Sequence, residues 1–214
     1  YDLFGENIFK IKKVGFKLKI KNNAKNLGQG INFATHMRKI LSENIGLFVT
    51  IADDDLILID EYIDFIKRFY YSECQVGIGG FIQNGENHNF SDTEKIIKNK
   101  KEAIKRYTAF GKGTGIIMSL PTKKDQEHME NIFLGSMYED KAYGCLQLSR
   151  NSSLFIYPKP IAKHSGGEII LLNYSFRVYI NLDLISYIFQ SDKRLKNFLL
   201  KRSDLDIGFL LIQK

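Results

Sequence analysis

Phe48-Val49-Thr50-Ile51-Ala52-Asp53-Asp54-Asp55-Leu56-Ile57-Leu58-Ile59 is the stretch that decides the reading of this chain. Residues suited to a buried strand run straight into three consecutive carboxylates, and an apolar stretch resumes at once. Three adjacent Asp side chains repel one another, and burying them unpaired is costly. They make physical sense at the end of a strand, where a divalent cation can neutralise them. Oxygen ligands of this kind suit Mg²⁺ or Mn²⁺. An acidic turn in water is the plainer alternative. What favours a site is the position, at the carboxyl end of an apolar strand, where open α/β sheets bind their ligands.

Upstream, Phe16, Leu18 and Ile20 alternate with Lys17 and Lys19, which predicts a strand with one wet face. A polar loop over 21–30 carries Asn23, Asn26, Gly28 and Gly30. A helix is expected over 31–44, with Ile31, Ala34, Met37, Ile40 and Leu41 on one stripe. Strand, loop, helix, strand is the crossover unit that produces a parallel pair. Downstream, Asp60 is the expected N-cap of a helix over 61–71. A glycine-weakened strand at 74–83, a loop at 84–89 and a basic helix from Ser91 to about Phe110 follow.

Gly111-Lys112-Gly113-Thr114-Gly115 then turns into a strand over 116–120. It precedes a strand rather than opening a helix, so it is not a phosphate loop. A helix over 124–134 leads to Tyr138-Glu139-Asp140, and 141–148 continues as helix. A strand over 153–157 ends where Pro158 and Pro160 bracket a turn, and the loop 163–168 holds His164. From Asn173 the pattern is helical and amphipathic, with Lys193, Arg194, Lys196, Lys201 and Arg202 forming a basic cluster. Two parts are expected: an α/β domain over 1–172 and an amphipathic helical segment over 173–214.

Length and composition agree: 214 residues, 44% apolar and 26% charged, describe a globular chain with a substantial core. No apolar run reaches the ~18 residues that cross a bilayer, and no signal pattern opens the chain. Tyr1 is not a natural start, so a processed chain or a fragment is expected. Cys74 and Cys145 lie far apart without a CxxC pairing, which points to a reducing compartment and against a zinc or disulfide framework. A net charge of +7 suits anionic membrane, phosphorylated small molecules or nucleic acid. Nucleic acid is disfavoured, because no aromatic RNA-binding strand, zinc finger or basic heptad accompanies the charge. The expected location is cytoplasmic, with 173–214 open to peripheral contact at the inner face of the membrane.

Four features in this order resemble a GT-A glycosyltransferase, most closely the inverting family 2 enzymes. They are the loop with Asn23, Asn26, Gly28 and Gly30, the strand ending in Asp53-Asp54-Asp55, the glycine-rich turn and strand at 111–118, and Tyr138-Glu139-Asp140. The likeness spans about residues 14–168. It implies a Rossmann-like, mixed but mostly parallel sheet flanked by helices, and a DxD motif holding Mn²⁺ or Mg²⁺. Asp55 is the metal ligand it favours, with Asp53 and Asp54 as candidates for the metal or the nucleotide ribose, and Asn26 and Gly28 toward the donor. A late histidine in several such enzymes lies near the metal or diphosphate, which singles out His164; a surface-loop role is the alternative.

A nucleotide-sugar donor loses a diphosphate, and a metal there would offset the charge that develops. Inversion needs a base on the acceptor side, Asp140 first and Glu139 second. The plainer reading of that pair is a helix start with acidic residues favoured by the dipole. Members of the family begin with two further strand–helix units, for which there is no room before Ile20. They lie upstream of Tyr1 or the fold is abbreviated. The expected activity is hexosyltransferase-like transfer to a glycan or lipid-linked acceptor, in surface polysaccharide assembly. A nucleotidyl- or phosphoryltransferase using the same carboxylates, and a non-catalytic basic module for nucleic acid or anionic membrane, are the alternatives. His36 lies in the amphipathic helix and reads as structural or surface, and His88 and His128 sit in polar stretches with no apparent partners.

Overall fold

Side chains along the central strands alternate between two buried faces. Val76, Ile78, Ile116, Met118, Leu154 and Ile156 point to one, and Ile117, Phe155, Tyr157 and Ile161 to the other. A sheet apolar on both faces must be covered on both, and helices do so here. The computed structural model describes residues 29–43, 48–51, 55–110, 115–127, 139–150 and 153–164. In chain order the elements are α1 (Gln29–Ser42), β1 (Phe48–Ile51), β2 (Leu56–Ile57), α2 (Ile59–Ser72), β3 (Val76–Gln83), β4 (Glu86–His88) and β5 (Lys95–Ile97). Then come α3 (Lys100–Phe110), β6 (Ile116–Ser119), α4 (Glu139–Arg150) and β7 (Leu154–Lys163), with a helical turn over 123–127 between β6 and α4.

The strands form one open, mixed sheet in the order β1-β6-β3-β7-β2, with β4 beside β3 and β5 beside β7. α3 and α4 pack on one face through Ala103, Ile104, Tyr107, Tyr143 and Leu146. α2 covers the other through Phe65 and Phe69, whose rings meet Phe155 and Tyr157. Gly77 lets α2 approach: a Cβ there would stand 2.7 Å from both Phe69 and Ile117.

The chain is α/β, as read, but the sheet is not mostly parallel among the described residues. β3–β7 is the parallel pair, and the other five pairings are antiparallel. β6 accounts for two of the five, inserting between β1 and β3 and running against both, and the short strands β2, β4 and β5 supply the other three against β7 and β3. The parallel partner expected for β1 at 16–20 lies outside the described residues, as do the 21–28 loop and the segment 173–214.

Several boundaries move. Leu58, not Asp60, is the N-cap of α2, without a side-chain cap, and Asp60 sits in the first turn beside Glu61. The expected loop at 84–89 contains β4: Asn84 and Gly85, at φ 54° and 83°, supply the paired positive angles of a tight hairpin. The basic helix starts at Lys100 rather than Ser91, because Ile96 and Ile97 pair with Phe155 and Leu154 on β7. Asn99 caps it, its side chain accepting from the Glu102 N–H at 3.0 Å.

β7 runs straight through Pro158 and Pro160, which do not bracket a turn. From Ile78 to Phe81 β3 advances three residues while β7 advances six, from Ile156 to Ala162, so both prolines fall in a bulged stretch. That stretch also lies between the β5 and β2 pairings, where a missing N–H costs no ladder bond on that side. No helix among the described residues is long and apolar enough to cross a membrane.

Candidate functional site

β2 is only two residues long, yet it sets the geometry that matters. Leu56 pairs with Lys163 and Ile57 with Ala162, so the residues just beyond, Asp55 and His164, are brought face to face. Asp55 Oδ1 and His164 Nδ1 stand 2.7 Å apart, across 109 residues of sequence. An ionised carboxylate can only accept, so Nδ1 donates. The Asp55 side chain keeps 3% of its surface exposed and that of His164 22%. The His164 backbone N–H donates to Ile82 O at 2.7 Å, and the edge of its ring meets Phe81. Phe81 carries His88 stacked on it at 5.0 Å, a partner that the polar stretch around His88 did not announce.

Direction places this pair in the sheet. β1, β3 and β7 run the same way, and Asp55 comes after β1 in the chain while His164 directly follows β7. The pair therefore belongs to the end at which these strands finish, where open sheets of this kind bind ligands. The start of α4 lies toward that end too. Late in the helix, Gln147 donates to Ser119 O, and Ser119 bonds Gln75 just before β3 begins. The C-terminal half of α4 is thus held at the opposite end, and its first two residues, Glu139 and Asp140, lie toward the Asp55 end.

No protein-family model matches the chain, and no curated protein matches it.

A carboxylate oxygen beside an imidazole nitrogen is a donor set that suits Mn²⁺. Two neighbouring ligands of an octahedral ion at such bond lengths stand about 3 Å apart. To hold such an ion the pair would have to open by a few tenths of an ångström and Nδ1 would have to lose its proton. Among the described residues no group of three or more His, Cys, Asp or Glu side chains gathers. Asp53, Asp54, Asn26 and Gly28 lie outside the described residues, as do 111–114. Of the predicted residues, then, Asp55 and His164 meet, and Glu139 and Asp140 open a helix whose dipole favours carboxylates. Arg106 is exposed on α3 and His36 half-buried on α1.

Two polar assemblies have no counterpart in the motif reading. On the α2 face, the Tyr157 hydroxyl donates to Asp64 at 2.7 Å, and Arg68 bridges Asp64 and Glu94. Burial and the neighbouring Asp64 push the Tyr157 hydroxyl far up, while the Tyr157 bond draws the Asp64 carboxyl down. On the other face, Asp125, Gln126, Tyr143, Gln147 and Arg150 tie the segment after β6 to α4. Thr122 and Asp125 form a reciprocal cap, 3.3 Å from the Thr122 N–H to Asp125 and 3.2 Å from the Asp125 N–H to Thr122. The Thr-x-x-Asp spacing is the signal in the sequence that marks it.

Proposed function

We propose that this chain is a metal-dependent, inverting glycosyltransferase of the GT-A type, moving a sugar from a nucleotide-diphosphate sugar to a glycan or lipid-linked acceptor. One observation carries the reading: Asp55 and His164, the two residues the motif order selects for the metal, meet at 2.7 Å through the β2–β7 pairing. Asp55 and His164 would hold Mn²⁺ or Mg²⁺, with Asp53 or Asp54 beside them. When bound, the ion offsets the charge that grows on the departing diphosphate.

The chain's own groups do the rest. Asp140, with Glu139 second, accepts the proton of the acceptor hydroxyl as its oxygen attacks the anomeric carbon from the side opposite the diphosphate. Asn26 and Gly28 take the donor, and Asp53 or Asp54 its ribose. The buried setting of Asp55 keeps the carboxylate fixed before the donor arrives, so little reorganisation is needed at the transition state. Surface polysaccharide assembly at the inner face of the membrane is the process this chemistry serves.

The test is a thermal-shift screen of nucleotide sugars with and without Mn²⁺, followed by transfer assays. Stabilisation should need both metal and nucleotide sugar and vanish in Asp55→Ala. An Asp140→Asn protein should still bind donor but lose transfer. Stabilisation by nucleoside triphosphates alone would favour nucleotidyl transfer, and metal-independent binding to DNA or liposomes alone would rule the sugar reading out.

A further inference from the structure

Among the described residues, the polar or charged residues buried as whole residues are Asp125, Gln126 and Gln147, and all three lie in one seam. Toward Ser119, Asp125 and Gln126, α4 presents Tyr143, Gln147 and Arg150, spaced i, i+4 and i+7, which is one stripe of a helix. The Tyr143 hydroxyl donates to Gln126 Oε1, and Gln147 Nε2 donates to Ser119 O at 3.2 Å. The Arg150 guanidinium forks onto both oxygens of Asp125. Among the described residues, Cys145, Leu146 and Leu148 of α4 join the apolar core, with Tyr107 of α3 seated against Gly144.

Apolar burial is non-directional, so by itself it leaves a helix free to slide or roll by small amounts. Directional bonds do not. A one-residue slip moves α4 by about 1.5 Å and turns it by about 100°, which breaks all three ties together.

We propose that this seam is the positioning device for the first turn of α4: Tyr143, Gln147 and Arg150 fix the axial and rotational setting of the helix that Glu139 and Asp140 open, and through it the place of that pair. The proposal rests on the reading of that pair as the base. In this role each seam residue acts through the helix it holds rather than on the substrate.

The decisive variant is the double replacement Asp125→Leu/Arg150→Met, which removes both charges at once and leaves apolar side chains of similar size. Such exchanges of buried pairs leave stability unchanged or improve it. The expected result is an unchanged melting temperature, an unchanged KM for the nucleotide sugar, and a kcat lowered about ten- to a hundredfold by displacement of the base. Arg150→Lys, which keeps the charge but one prong of the fork, should recover part of the loss. An unchanged kcat in a folded double variant overturns the proposal.

Hydrogen exchange separates this from the sugar reading itself. Amides of 139–146 should exchange faster in the double variant while those of β3 do not. If the wild-type chain transfers no sugar, the functional reading fails and exchange alone judges the seam; unchanged protection of 139–146 overturns it. Should the double variant not fold, Gln147→Met removes one tie and is read the same way.

Discussion

Asp125 and Asp55 are buried alike, each with 3% of its side-chain surface exposed, and each faces a nitrogen side chain that reaches solvent. Their partners make them different. Arg150 carries a permanent charge and a rigid fork that fills both oxygens, and Thr122 adds its N–H and hydroxyl. Burial alone would raise the Asp125 carboxyl, but the bonds from Arg150 and Thr122 outweigh it and hold it below the usual carboxylate range. Asp55 instead meets an imidazole, and in the proposed site the Nδ1 proton would give way to the metal. A buried carboxylate closed by a permanent cation makes an anchor; on our proposal, one closed by an exchangeable proton is open to a metal.

Breaking the anchor on one side should have the largest effect on stability. Arg150→Met leaves the Asp125 charge buried without its partner and should cost about 2–4 kcal/mol, less than a wholly buried pair because Arg150 keeps 43% of its surface in solvent. Urea unfolding of the single and double variants checks it, and the double should lie near wild type.

The same pair carries a pH signature. A carboxyl held low in the folded state contributes stability above its unfolded value near pH 4, and that stability is lost as pH falls through the folded value. Wild type should therefore lose more melting temperature between pH 6 and pH 3 than Asp125→Leu/Arg150→Met does.

Between those two in kind is a packing change on the same helix. At Gly144 an added Cβ would run into the Tyr107 ring, so Gly144→Ala should destabilise by about 1–3 kcal/mol. It should do so without the pH signature, which separates packing from charge on α4. The smallest effect is expected at Tyr157→Phe, which removes one bond to Asp64 and should cost about 1 kcal/mol in equilibrium unfolding.

The sequence showed where polarity changes more readily than where strands pair. The run from Phe48 through the carboxylates into α2, the apolar stretch of β6 and the helix after Glu139 all follow local patterning. β5 did not, because Ser91 to Glu94 looks like a helix start until Ile96 and Ile97 find β7, sixty residues on in the chain by about that count. The prolines of β7 look like a turn until the bulge against β3 absorbs them. Asp55 and His164 were each legible by residue type and order, but their meeting depends on a two-residue strand whose register no local pattern specifies. The seam left one local trace, the Thr122–Asp125 cap; its other half, Arg150, lies 25 residues from Asp125.

The central claim is that Asp55 and His164 form one metal-binding pair. The chain has four histidines, so ring signals of His164 can be followed individually by NMR while Mn²⁺ is added. The account predicts that substoichiometric Mn²⁺ broadens the His164 ring signals before those of His36 and His128, and that Asp55→Ala abolishes this selectivity. His164 signals that stay sharp while Mn²⁺ and a nucleotide sugar bind elsewhere would contradict it.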